Sequence, residues 1–151
     1  MLSEKPKILI VDDDKSIRTT LSLILEEEGY YVDTAETGNE AIEKTNSKIY
    51  NIALLDFRLP DIEGTKLLTQ FRETVPRMRK VIITGYPTIK NASESVNFGA
   101  DGFLMKPCET IDVINKVKEQ LTKQREEKEY SQRKVAEYIE TQFRHSTSMN
   151  P

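Results

Sequence analysis

The chain has 151 residues, 37% hydrophobic and 31% charged, enough for one domain with a real core plus an appendage. A net charge of −3 gives no general reason to expect nucleic-acid binding, and the single cysteine, Cys108, excludes an internal disulfide and suits a reducing compartment. No run approaches the roughly 20 apolar residues of a membrane span, and Met1 to Lys7 carries no apolar leader, so a cytoplasmic protein is expected.

Lys7 to Val11 is a short apolar run cut off by Asp12-Asp13-Asp14, and it reads as a first strand. Asp14 can cap the helix that follows, which carries Ile17, Leu21, Ile24 and Leu25 on one face and stops at Gly29. Tyr31 to Ala35 is a second strand, and Thr37 or Asn39 opens a short helix containing Ala41 and Ile42. Ile52 to Asp56 is the third strand. Its four apolar residues in a row are the pattern of a parallel strand buried on both faces, and it ends on an aspartate. Gly64 to Val75 is predicted helical, with Leu67, Leu68 and Phe71 inward and Pro76 as the stop. Lys80 to Thr84 is the fourth strand; Thr88 to Phe98 is a helix with a thin apolar face of Ile89, Ala92 and Val96. Gly102 to Met105 is the fifth strand, followed by Lys106-Pro107. Thr110 then opens a last helix with Ile111, Ile114, Val117 and Leu121 at helical spacing.

Five strands alternating with five helices predict an α/β fold: a (βα)5 doubly wound, parallel five-stranded sheet with helices on both faces. One sequence does not reveal strand order, but length and alternation suit the small flavodoxin-like class, order 2-1-3-4-5. Beyond Leu121 the character changes. Thr122 to Lys134 holds no aliphatic residue, and Glu119 with Lys123 and Glu129 with Arg133, four apart in the favourable order, predict a solvated helix. Val135, Tyr138, Ile139 and Phe143 then restore an apolar stripe. The chain therefore divides into a folded domain, 1–121, and a charged helical extension or linker, 122–151, with a disordered end. A helix from Thr110 to Phe143 would run about 50 Å, too long for the flank of this domain. The second stripe is expected to meet something outside the core.

Four strands end in a polar residue of a particular kind: Asp12 and Asp13 after the first, Asp56 on the third, Thr84 on the fourth and Lys106 after the fifth. In a parallel sheet these ends share one side, so the groups should converge. Two unit charges 4 Å apart repel by about 4 kcal/mol at an effective dielectric near 20. Three carboxylates together therefore need raised pKa values or a cation, and an all-oxygen set suits Mg²⁺ (or Mn²⁺). With Lys106 adding positive charge and Thr84 a hydrogen bond, such a site can take a phosphoryl group onto one carboxylate.

Ile8-Leu9-Ile10-Val11-Asp12-Asp13-Asp14, Leu54-Leu55-Asp56-Phe57-Arg58-Leu59-Pro60, Ile82-Ile83-Thr84-Gly85 and Gly99-Ala100-Asp101-Gly102-Phe103-Leu104-Met105-Lys106-Pro107 resemble the receiver domain of two-component response regulators, over about residues 5 to 121. The resemblance implies that Asp56 is the phosphoacceptor for a sensor histidine kinase. It implies that Asp13 is a direct Mg²⁺ ligand, that Asp12 acts through water, and that the Arg58 carbonyl completes the protein's share of the metal shell. Lys106 would pair with the phosphoryl group, Thr84 would be the switch hydroxyl, and Phe103 the aromatic that turns inward with it. Lys106-Pro107 would be a cis peptide. Gly85 and Cys108 depart mildly from the family pattern.

Arg58 and Tyr86 fall two residues after the acceptor and two after the switch threonine, flanking the route of an attacking water, and are expected to tune the lifetime of the phosphoryl mark. The expected output is a change in the face made by helix four, strand five and helix five. That change would pass to the tail, where Val135, Tyr138, Ile139 and Phe143 contact a second copy or a downstream protein. An aspartyl-phosphate phosphatase is the enzymatic alternative, but it commonly needs an acid where Arg58 stands. A flavodoxin-like cofactor binder would want backbone donors, not three aspartates, after strand one. A phosphorylation-independent interaction module of the same fold is the remaining alternative.

Overall fold

A computed structural model describes residues 4–148. The elements run β1 (Lys7–Val11), α1 (Lys15–Glu27), β2 (Tyr31–Ala35), α2 (Gly38–Ser47), β3 (Ile52–Asp56), α3 (Gly64–Gln70), β4 (Arg79–Thr84), α4 (Ile89–Asn97), β5 (Gly102–Met105) and α5 (Thr110–Ser148). The strands form one parallel sheet in the order β2-β1-β3-β4-β5. Alternation along the central strands divides the core in two. Ile8, Ile10, Ile52, Leu54, Val81 and Ile83 meet α1 and α5 through Leu21, Leu25, Val113, Val117 and Leu121. Leu9, Val11, Ala53, Leu55 and Ile82 meet α2 and α3 on the other face through Ala41, Leu67 and Leu68. The continuous apolar runs of β1 and β3 are thus explained, since both faces are covered.

The helix starts follow from side-chain caps. Asp14 accepts from the amides of Ser16 and Ile17, Thr37 from Glu40 and Thr88 from Asn91.

Three local expectations are corrected. Helix α3 ends at Gln70, not Val75. Phe71 turns extended, its ring joins the α2–α3 core, and Arg72 Nε donates to the Thr45 carbonyl at 2.7 Å, so tertiary contacts outcompete another helical turn. Helix α4 does not bury Ile89 and Val96, which are 89% and 66% exposed. It seats on the smaller Ser95 and Ala92, with Ser95 Oγ donating to the Asn91 carbonyl. On α5, Ile111 is exposed and the inward stripe is Val113, Val117, Gln120, Leu121 and Gln124.

Helix α5 continues well past the sheet, at about 58 Å in all, and its contacts with the domain run beyond Leu121 as far as Glu127. Gln124 donates to the backbone carbonyls of Asn51 and Arg77 and accepts from the Asn51 side-chain Nδ2. Arg77 and Arg79 both reach Glu127. Residues 128–146 of the extension are exposed, including Val135, Tyr138, Ile139 and Phe143. The chain end expected to be disordered lies partly outside the described residues. Among the described residues no helix is long and apolar enough to cross a membrane.

Candidate functional site

β1 and β3 are neighbours in the sheet, yet the helices that follow them pack on opposite faces. This is the topological switch at which open α/β sheets form a crevice. Their carboxyl ends bring Asp12, Asp13 and Asp56 together, with one carboxylate oxygen of each within 4.8 Å of the others. Asp12 is buried, and its Oδ1 accepts from the Asp14 amide at 2.9 Å, which turns the acidic loop inward. The β3–α3 loop turns back immediately after Asp56. A Cβ on Gly64 would fall 2.9 Å from the Asp56 carbonyl oxygen, so only glycine permits that return.

Lys106, delivered by β5, spans the cluster. Its Nζ lies 3.1 Å from Asp12 Oδ2 and 3.3 Å from Asp56 Oδ1. The amide of Lys106 donates to the Thr84 carbonyl at 2.7 Å, so the end of β4 sets the height of this side chain. Burial, and after it the field of Asp12, pushes the Asp56 carboxyl above its ordinary value despite Lys106. For Lys106, burial opposes the charge, but bonds to Asp12 and the fields of both aspartates outweigh it and raise its pKa.

The response regulator receiver domain family matches residues 8–118. The chain belongs to that family. Its receiver domain is 43% identical to a CheY-like response regulator receiver domain protein from Methanospirillum hungatei JF-1, with a TM-score of 0.78 over 82% of this chain and 99% of that one. It is 34% identical to the beryllofluoride-activated NtrC4 receiver domain dimer, with a TM-score of 0.73 over 78% of this chain and 98% of that one. It is 37% identical over 102 residues to the alginate biosynthesis transcriptional regulatory protein AlgB of Pseudomonas putida, covering 68% of this chain but 23% of that protein. The chain therefore spans about a quarter of the length of that relative.

Receiver domains generally bind Mg²⁺ through an acidic aspartate cluster, and this one has the cluster in Asp12, Asp13 and Asp56. Oxygen donors and no nitrogen or sulfur are the set that hard divalent cations take.

The remaining expected residues divide. Thr84 is fully buried at the end of β4, and its Oγ1 accepts from the Tyr86 amide at 2.9 Å. Phe103 is half-buried against the α2–α3 core, neither fully in nor fully out. Arg58 and Tyr86 meet, the guanidinium carbon 3.9 Å from the ring centroid, so the two loops that flank Asp56 are joined by a cation–π contact. The tail stripe lies on the extension, on a segment of α5 that has left the domain's flank. Cys108 is half-buried beside Lys106-Pro107, which is cis, and burial pushes its thiol up, away from reactivity. Sequence reading missed Arg18, whose guanidinium donates to the Asp12 carbonyl at 2.9 Å, and Asp61, which reaches the amides of Gly38 and Asn39. Both sit where helix-surface and loop residues ordinarily face water, so no periodicity marks them.

Proposed function

We propose that this receiver domain is a phosphorylation-activated signalling switch that takes a phosphoryl group from a histidine kinase or phosphotransfer protein onto Asp56. The observation that carries the reading is the single ammonium of Lys106 within 3.3 Å of both Asp12 and Asp56. In the reaction an Asp56 carboxylate oxygen attacks phosphorus. The bond from phosphorus to the donor's imidazole nitrogen (or to the acyl oxygen of a small phosphodonor) breaks, and its electron pair leaves with the donor. Asp13, Asp56 and the Arg58 carbonyl would hold Mg²⁺ (or Mn²⁺), with Asp12 acting through water; the bound ion would neutralise phosphoryl oxygens as charge shifts. Lys106 moves its hydrogen bonds from carboxylate to phosphoryl oxygen, and the Thr84 hydroxyl donates to another. An apolar groove of about 500 Å³, lined by Ile17, Leu21, Pro107 and Cys108 and opening beside Lys106, suits a docked phosphodonor protein. We take the reaction to be cytoplasmic.

In this reading the mark is read out through Thr84, Phe103 and the α4–β5–α5 face, and onward along α5. Residues 1–121 act as the receiver and 122–151 as the effector-facing extension, with Val135, Tyr138, Ile139 and Phe143 as its contact to a second copy or downstream protein. The activated NtrC4 receiver is a dimer, which supports the first of these. The test is intact mass after incubation with acetyl phosphate and Mg²⁺, with the same samples run in sedimentation. Wild type should gain one phosphoryl group and Asp56→Asn none; a gain in the variant would move the acceptor elsewhere. An association state indifferent to the mark, together with equal binding of partner proteins, would remove the tail from the account.

The stacked Arg58 and Tyr86 are proposed to shield the acyl phosphate from water. Replacing both with alanine should shorten its half-life severalfold, read by the decay of the phosphorylated mass after donor removal. An unaltered half-life would exclude them.

A further inference from the structure

Both acidic loops lean on one short segment that offers no carboxylate to the cluster, the β2–α2 junction 36–39. The β1–α1 loop is tied to it through Arg18: Nη1 donates to the Asp12 carbonyl at 2.9 Å and Nη2 to Glu36 at 3.2 Å. The β3–α3 loop reaches the same segment from the other side. Its base is closed by antiparallel pairing of Arg58 with Glu63 and by the Gly64 amide donating to the Phe57 carbonyl at 2.8 Å. At its tip, Asp61 spreads its two carboxylate oxygens over successive amides. Oδ1 accepts from Gly38 and Oδ2 from Asn39, each at 2.9 Å.

This fork suits the first turn of α2, where unpaired amides and the helix dipole favour an anion. Yet α2 already has its own cap, since Thr37 Oγ1 accepts from the Glu40 amide at 3.1 Å. The Asp61 fork therefore does more for the loop than for the helix. Close approach is built in from the far side as well. A Cβ on Gly38 would lie 2.1 Å from Ile62 Cγ2 and 3.4 Å from Asp61 Oδ1, so a larger residue would push the loop tip away. Three residues before Asp61 is Arg58, whose carbonyl the reading above assigns to the metal. Mg²⁺ demands near-ideal octahedral geometry, so sub-ångström drift of that carbonyl is felt.

We propose that Asp61 is a positioning residue of the phosphoacceptor site. It anchors the β3–α3 loop to α2 and so holds the Arg58 carbonyl and Asp56 in register with Asp12 and Asp13. The inference deepens the phosphoacceptor reading and rests on it. Asp61 itself is exposed, touches none of the three carboxylates and acts through the loop.

The test uses Mg²⁺ alone as the probe, on wild type, Asp61→Ala, Asp61→Asn and Gly38→Ala. Calorimetric titration gives affinity, amide exchange gives protection of residues 57–64, and melting is followed without metal. Asp61→Ala should weaken Mg²⁺ binding about tenfold, the scale on which outer supports of a metal site act. It should also speed exchange across the loop while barely moving the metal-free melting temperature. Asp61→Asn keeps one oxygen acceptor and should fall between; Gly38→Ala should reproduce the alanine effect from the opposite side. Unchanged affinity and exchange in Asp61→Ala, whatever happens to melting, would make Asp61 a plain helix cap and overturn the inference. Wild type that takes up no Mg²⁺ would instead overturn the phosphoacceptor reading and this inference with it.

Discussion

Replacing Lys106 with methionine is expected to slow phosphorylation of Asp56 by roughly a hundredfold or more, the cost of removing one preorganised donor from a developing anion. Methionine keeps much of the stem volume and removes only the charge and its bonds. Lys106 is the sole cation in hydrogen-bond reach of Asp56 among the described ion pairs, and its side chain is 27% exposed, so water replaces it poorly. A second effect separates its role from that of the acids. An ammonium 3.3 Å from Asp56 repels an incoming dication, so its removal should leave Mg²⁺ affinity unchanged or tighter while the rate collapses. Asp61→Ala carries the opposite signature, weaker metal binding with Lys106 in place. Lys106→Arg should recover little, because a planar fork does not reproduce a compact ammonium between two carboxylates. Initial rates of mass gain at saturating Mg²⁺, with acetyl phosphate as donor, provide the measurement. A methionine variant that labels at the wild-type rate would end the assignment.

Much of this site is legible in the sequence because a parallel sheet converts chain order into geometry. Apolar runs that stop on Asp12, Asp56, Thr84 and Lys106 must present those residues on one edge, and two of the three neighbouring carboxylates are bridged by the lysine. The five strands were readable from their apolar runs; their order came only from the fold class that the alternation suits, and the sheet has that order. What was not legible shares a different cause. Gln120 and Gln124 are polar residues at positions that look solvated, yet they are 1% and 6% exposed because Arg79 on β4, and Asn51 and Arg77 just ahead of β3 and β4, supply partners 41 to 73 residues away. Hydrophobic periodicity is blind to such pairs, and it placed Ile111 inward where Val113 belongs. In α4 the same rule failed in reverse: large apolar side chains face out, and small ones let the helix approach. The Arg58–Tyr86 stack joins two loops, and loops carry no period at all.

The base of the sheet, opposite Asp56, carries the largest expected stability effect. Arg79 is 8% exposed at its side chain and is surrounded by acceptors: Gln120 Oε1 at 2.9 Å, Glu127, and Asp101 at 3.9 Å. Arg77 forks onto Asp101 at 2.9 and 3.1 Å and reaches Glu127 at 2.8 Å, while the Lys80 amide donates to Asp101 at 2.9 Å. Asp101 is thus the hinge pin of a network that bolts α5 to β4. Its removal leaves two guanidiniums sharing one half-exposed glutamate. Loss of one partner from a buried network of this kind costs about 3 kcal/mol, which in a chain of this size lowers the melting temperature by roughly 6–12 °C. The pH dependence has a definite sign. Burial alone would raise the Asp101 pKa, but the Arg77 bonds and the Lys80 amide outweigh it and hold the carboxyl below its ordinary value. A depressed folded-state pKa means stabilisation that is present above the unfolded carboxylate value and is lost as pH falls through the folded one. Wild type and Asp101→Asn should therefore differ most near neutral pH and converge in acid. Melting curves taken from neutral to acid pH decide it; a gap that stays constant with pH would mean that shape, not charge, is what Asp101 contributes. The same variant bears on signalling. With the Asp101 charge gone, Arg77 and Arg79 are held less firmly for Gln120 and Glu127, the contacts that orient α5 as it leaves the domain. Any coupling between Asp56 and the exposed stripe at Val135, Tyr138, Ile139 and Phe143 should weaken even where phosphorylation itself proceeds at the normal rate.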